Sequence, residues 1–230
     1  MLLYHCRLTF HDNLFYETRT LGRLYETGRL LHNIALCYAM GLATTTFHHA
    51  SYAPSYAEEL QGLNEAGVYV TPAGGEDVRY VVQTFKLGEE RSSVFMEQRN
   101  DNIPSYGRAK EIAVGSRFSF GILSEKKLAF LPRWIRMGLW MSKGRLEIAP
   151  PIPLTRQQEP ATRTINRYPL NPTDMPDGAN LKLFDLVSMR PSNLVENALI
   201  EHDDWWVGEI PDVGRLTLPA GLSHRVGRSK

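Results

Sequence analysis

Residues 2–10 alternate in character. Tyr4, Cys6, Leu8 and Phe10 fall on one side of an extended chain, and His5, Arg7 and Thr9 fall on the other. A period of two is the signature of a strand with one buried face. Polar residues at alternate positions of a first strand suggest a sheet with one open face. His11-Asp12-Asn13 then signals a turn.

Other segments follow from the same reasoning. Leu14 to Thr27 shows no clear period and reads as a long loop carrying Arg19 and Arg23. Leu30, Leu31, Ile34, Ala35, Cys37 and Tyr38 have helical spacing, which predicts an amphipathic helix over 29–42 with Gly41 near its end. Residues 44–56, with His48 and His49, read as a loop, and 56–63 as a short helix. Strands are expected at 68–71 and 78–87, paired as a hairpin through a Pro72–Asp77 turn. Residues 88–107 read as a polar loop able to project. Residues 117–124 and 145–148 read as strands, and 133–140 is open between strand and irregular chain. Pro150 to Pro176 is rich in proline and reads as a connecting segment or lid. Strand 181–188, helix 193–202, strand 216–218 and a loose basic tail from His224 complete the reading. The order of elements suggests an α+β class, with ferredoxin-like or RRM-like splitting its simplest member.

The charge is unevenly placed. Between Arg108 and Arg145 stand nine basic residues (Arg108, Lys110, Arg117, Lys126, Lys127, Arg133, Arg136, Lys143 and Arg145) against Glu111 and Glu125, while the whole chain of 230 residues nets only +1. Trp134 and Trp140 alternate with four of these cations. Cations suit phosphates, and flat rings suit unstacked bases, so this stretch is a candidate single-stranded nucleic-acid surface. The plainer reading is a solvated edge strand with at least one tryptophan in the core. A pI near 7.8 excludes a histone-like polycation.

Several chemistries are not signalled. There is no Walker A sequence, Rossmann glycine fingerprint, His-Glu-x-x-His, nucleophile elbow or paired CxxC. Cys6 and Cys37 make neither a disulfide framework nor a zinc site and read as small core residues. No cofactor or metal is expected. His5 and Arg7 interrupt the N-terminal apolar run, and no run reaches the roughly 18 residues of a membrane helix, so a soluble cytoplasmic protein without a membrane partner is expected. Histidines could shuttle the 2′-hydroxyl proton in a metal-independent ribonuclease, which keeps that activity as an alternative. A protein-binding adaptor using the acidic Glu201–Asp212 stretch is another.

Longer blocks carry a resemblance. Leu8 to Thr27 followed by Leu31-His32-Asn33, then Tyr106-Gly107-Arg108-Ala109-Lys110-Glu111, then Leu131 to Lys143, resemble the type I-D CRISPR Cascade subunit of the Cas-five class, the Csc-one family of the RAMP superfamily. The resemblance implies an RRM-like RAMP core over 1–150 with a β-hairpin thumb inserted near 88–107. Residues 151–230 would pack on that core as a proline-rich connection and further β structure. It implies a non-catalytic subunit holding the 5′ handle of the CRISPR RNA, close to target DNA at the protospacer-adjacent motif. Its protein neighbours would be the backbone subunit of the Cas-seven class and the large subunit. With that reading, the candidate contacts are Arg19, Arg23, His32, Asn33, Tyr106, Arg108, Lys110, Arg133, Trp134, Arg136, Trp140 and Lys143.

Overall fold

β1 (Leu2–Phe10) forms as the alternation predicts and lies in the middle of a sheet. A computed structural model describes residues 1–43, 55–87 and 105–225. After β1, the chain makes β2 (Arg19–Leu21), β3 (Leu24–Glu26), β4 (Leu30–Leu31) and helix α1 (Asn33–Ala39). Two single turns, α2 (Tyr56–Glu59) and α3 (Gln61–Glu65), lead to β5 (Val68–Val70), β6 (Ala73–Asp77), β7 (Tyr80–Leu87), β8 (Ser105–Ile112) and β9 (Arg117–Ser124). β10 (Trp134–Met137) and β11 (Ser142–Ile148) form a hairpin. The remainder is β12 (Ile152–Pro153), β13 (Thr155–Gln157), β14 (Ala161–Ile165), β15 (Asn180–Val187), β16 (Leu194–His202), β17 (Trp205–Ile210) and β18 (Gly214–Pro219). The described chain is therefore mostly β, with few helices.

β1 pairs antiparallel with β11 on one side and β9 on the other, and β9 pairs antiparallel with β5. β1 and β5 are thus parallel with β9 between them, joined through α1 to α3, which is a split β–α–β unit. No helix lies between β9 and β10; residues 125–133 are irregular. Tyr4, Cys6, Leu8, Phe10, Phe118, Phe120 and Ile122 pack on Ile34, Leu36 and Cys37 to form the first core. On the opposite face, Leu3, Tyr69 and Leu123 meet Leu154, Ile165, Tyr168, Val195, Trp205 and Leu218, a second core built with two small antiparallel sheets, β13-β17-β18 and β14-β16-β15.

Several expectations change. The 14–27 loop contains the β2–β3 hairpin, closed at Gly22 (φ +61°) and held by β8, which pairs parallel to β3. The helix starts only at Asn33, because Leu30 and Leu31 pair with β6 and the His32 ring caps the helix. Residues 73–77 are not a turn: they pair with β9, and β7 pairs with β8 instead of 68–71. Residues 194–202 form a central strand, not a helix. Asn197 sits at φ +48° and shifts the alternation, so the buried residues run Leu194, Val195, Ala198, Ile200 and His202, with a helix-like step of three to four only across Asn197. The 150–176 stretch is no mere connection, since Tyr168 and Leu170 are core residues. The basic tail is anchored through His224, which is buried; 226–230 lie outside the described residues. So do 44–54, with His48 and His49, and 88–104, most of the expected thumb tip.

Gly138 closes the approach to the β10–β11 turn at φ +81°, and a Cβ there would stand 2.7 Å from the Phe15 carbonyl oxygen. Gly138→Ala combines left-handed strain with a backbone clash, so it should destabilise the fold by about 1–3 kcal/mol. Urea denaturation of the two proteins measures this.

Candidate nucleic-acid interface

The second core covers only one end of the open side of the main sheet. At the other end the odd-numbered residues of β1 and their partners face solvent. Register places Trp134, Arg145, Thr9, Arg117 and Asp77 in one row across five strands, with Arg136 opposite Lys143 beyond it. The period of two in β10 and β11 puts Ile135, Met137 and Leu146 inward and sends Trp134, Arg136, Lys143 and Arg145 outward.

Arg145 pairs with Glu147 at 3.3 Å and Arg117 with Asp77 at 3.3 Å. Such exposed pairs hold their cations weakly. Arg133, Arg136 and Lys143 have no acidic side-chain partner among the described residues. Arg136 donates to the Met141 carbonyl at 3.1 Å, and the Lys143 ammonium lies 4.3 Å from the centre of the Trp134 ring. The Asp12 carboxylate accepts the Lys143 main-chain N–H at 2.9 Å, which fixes the hairpin against the end of β1.

Neither tryptophan is a core residue, contrary to the plainer expectation. Trp134 is 46% exposed and meets His11 edge-on; Trp140 is 55% exposed and stacks on Phe15 with ring centres 4.6 Å apart. Both hold a ring against protein on one side and retain exposed surface, as a stacking platform requires. A cleft of 790 Å³ runs beside Trp134 between residues 128–134 and 145–148. Its wall includes Phe130, 78% exposed, which sequence reasoning did not select. The available signal was an aromatic two residues before Pro132 in an otherwise basic segment.

A second basic face lies on the sheet β2-β3-β8-β7. Tyr106, Arg108 and Lys110 alternate on β8, and Leu24 and Glu26 of β3 stand opposite Arg108 and Lys110. Arg19 pairs with Glu26 from β2, so four of the candidates share one side. Glu26 bridges Arg19 and Lys110, and the Arg19 hydrogen bond leads in holding its carboxyl below the usual range. Lys110 also lies over the Tyr80 ring at 4.4 Å. Tyr106 and Arg108 are exposed. Arg23 is exposed in the β2–β3 turn, where its carbonyl accepts from the Arg108 N–H at 2.8 Å.

His32 and Asn33 leave the candidate surface, because both are buried. The His32 Nδ1 accepts from the Ile34 N–H at 3.3 Å, and its Nε2 meets Ser192 Oγ at 3.0 Å. Asn33 donates to Asp174 at 2.7 Å. Burial lowers the His32 pKa to about 4. A depressed histidine gives stability that is present above the unfolded pKa of about 6.5 and is lost as pH falls toward 4. His32→Gln should therefore flatten the loss of stability between pH 6.5 and 4.5, as read from thermal melts across that range.

Cys37, His224 and Asp174 line up, with Sγ 3.7 Å from Nε2 and Nδ1 3.9 Å from Oδ2. All three are fully enclosed, and burial pushes the thiol pKa far up, so the line offers no nucleophile to a substrate. Among the described residues no group of three or more His, Cys, Asp or Glu side chains is placed to hold a metal, and no helix is long and apolar enough to cross a membrane.

The chain belongs to the family of the type I-D CRISPR-associated protein Cas5/Csc1, whose family model matches residues 1–227. Among solved structures, a chain of the type III-B Cmr-β complex bound to cognate target RNA and AMPPnP, seen by cryo-EM, is similar at 7% identity over 86% of each chain, with a TM-score of 0.47. No curated protein matches the sequence.

Proposed function

We propose that this chain is a non-catalytic subunit of a type I-D CRISPR effector complex that binds the 5′ handle of the CRISPR RNA through the uncovered end of its main sheet. The observation that carries this is the row of Trp134, Arg136, Lys143 and Arg145 on a sheet face left open by both cores. Family membership supports the setting, a CRISPR complex containing RNA. The split β–α–β order supports an RRM-like RAMP core, and the β7–β8 hairpin supports a thumb whose stem carries Arg108 and Lys110. In this reading the subunit abuts the backbone subunit of the Cas-seven class and the large subunit, near target DNA at the protospacer-adjacent motif. Burial of the Cys37–His224–Asp174 line favours binding over cutting.

The test uses the full chain and its guide RNA. Affinity should fall steeply between about 50 and 300 mM salt, since each phosphate contact releases condensed counterions. A flat profile would sink the assignment. In EDTA, repeat RNA should stay intact; specific cutting that needs a histidine or tyrosine would replace this reading with the ribonuclease.

A further inference from the structure

The open face does not stop at Thr9. Two residues back along β1, Arg7 projects on the same side, opposite Glu147 of β11 and Ser119 of β9. There the Glu76 carboxylate is held by two guanidiniums: Arg7 Nε at 3.1 Å and Arg167 Nη2 at 3.3 Å. Glu76 is itself an extra residue, bulged out of the β6–β9 ladder between Gly75 and Asp77. Bulges of this kind re-aim a side chain beside functional surfaces. Burial opposes ionisation of Glu76, yet the Ser119 hydroxyl and then Arg7 and Arg167 outweigh it and keep the carboxyl below its usual range. The surroundings therefore favour an anion.

The site also has unused donors. His5, on the same side of β1, is 8% exposed and contacts Tyr168 through Nδ1 at 2.6 Å. Its Nε2 has no partner among the described residues, and neither does Arg167 Nε. Burial first, then the positive charge of Arg167, lowers the His5 pKa, so the ring is neutral near pH 7. A 230 Å³ cavity lined by Glu76, Ser119 and Arg167 adjoins the cluster. The other acid on its wall, Glu196, is already bound to Arg29 at 2.6 Å. Glu76 is 26% and Arg167 29% exposed, so solvent and ligand reach both.

We propose that Arg7, Arg167 and Ser119 form a phosphate site that continues the open face, held by the Glu76 carboxylate until a backbone phosphate of the guide RNA displaces it. The proposal rests on the RNA-binding reading above. Glu76 then sets how tightly the RNA is held, because the phosphate must compete with it for both guanidiniums.

The experiment measures guide-RNA affinity against salt for the full chain and for Glu76→Gln, Arg167→Gln and Arg136→Glu, each checked for folding by thermal melting. Glu76→Gln should bind about threefold to tenfold tighter, in line with removing one partly exposed competing charge. Arg167→Gln should bind about threefold to tenfold weaker, with a salt slope shallower by about 0.7, the value of one single-strand phosphate contact. If both variants bind like the parent while Arg136→Glu weakens binding, the phosphate site is wrong and the proposed function stands. If all three bind like the parent, the RNA-binding reading itself fails. Thermal stabilisation by inorganic phosphate that Arg167→Gln abolishes, with guide affinity unchanged, would also overturn the proposal, since the site would then take a free oxyanion and no RNA.

Discussion

Replacing Arg133 and Arg136 together with glutamate should weaken guide-RNA binding by roughly 2–4 kcal/mol, about 30-fold to 1,000-fold, and make the remaining affinity less sensitive to salt. Both guanidiniums are exposed, and neither has an acidic partner among the described residues, so little of their field is already neutralised. Each replacement removes a cation and adds a repelling carboxylate, at Arg136 on the same face as Lys143 and Arg145 and at Arg133 one residue before Trp134 on the wall of the adjoining cleft. The fold should tolerate the change, because Ile135 and Met137, the inward residues of β10, are untouched; stability should move by no more than about 0.5 kcal/mol per site. The control is Lys182→Glu with Arg215→Glu, which changes net charge equally on the two C-terminal sheets. That pair should leave affinity nearly unchanged. Equal loss in both double variants would mean that net charge alone, and not this face, binds the RNA.

Asp174→Ala should be the most damaging single substitution for stability. Asp174 is wholly buried in the 3₁₀ turn at 172–174, where it accepts from Asn33 Nδ2 at 2.7 Å, Tyr69 OH at 3.2 Å and the Arg225 main-chain N–H at 2.9 Å. It joins the first helix, the main sheet and the chain's C-terminal strap. Removing the acceptor strands two buried donors, Asn33 and Tyr69, and the part-buried Arg225 N–H, a cost of about 3–5 kcal/mol. For a chain of this size that is roughly 6–20 °C in melting temperature. Asp174→Asn keeps one acceptor oxygen and should fall between. Burial also lifts the Asp174 pKa to about 6. A raised carboxyl pKa means the folded chain binds the proton more tightly than the unfolded one, so this group favours folding increasingly as pH falls from about 6 toward 4. Asp174→Asn should remove that contribution, opposite in sign to the effect of His32.

These two residues also mark what the chain disclosed in advance. β1 was legible because Tyr4, Cys6, Leu8 and Phe10 alternate without interruption, and the hairpin cations were legible because no acid lies between Arg133 and Arg145. Period two then places Trp134, Arg136, Lys143 and Arg145 on one side, but only once β10 and β11 are known to be strands. Residues 194–202 misled because the left-handed Asn197 turns a strand pattern into a helical one. Asn33 and His32 looked available beside a predicted helix; their burial depends on Asp174 and Ser192, more than 140 residues away, which no local pattern reveals. Arg167 lay inside a segment taken for a connector, so its convergence with Arg7 on Glu76 could emerge only from the fold.

The most direct test is ultraviolet crosslinking of a handle-bearing guide RNA to the assembled complex, with residue-level mapping on this chain. Crosslinks should concentrate on peptides containing Trp134 and Trp140 and on the adjacent Phe130, and should diminish in the Arg133→Glu, Arg136→Glu variant. Crosslinks confined to the C-terminal sheets, or none on residues 130–145 while the guide remains bound, would contradict the account.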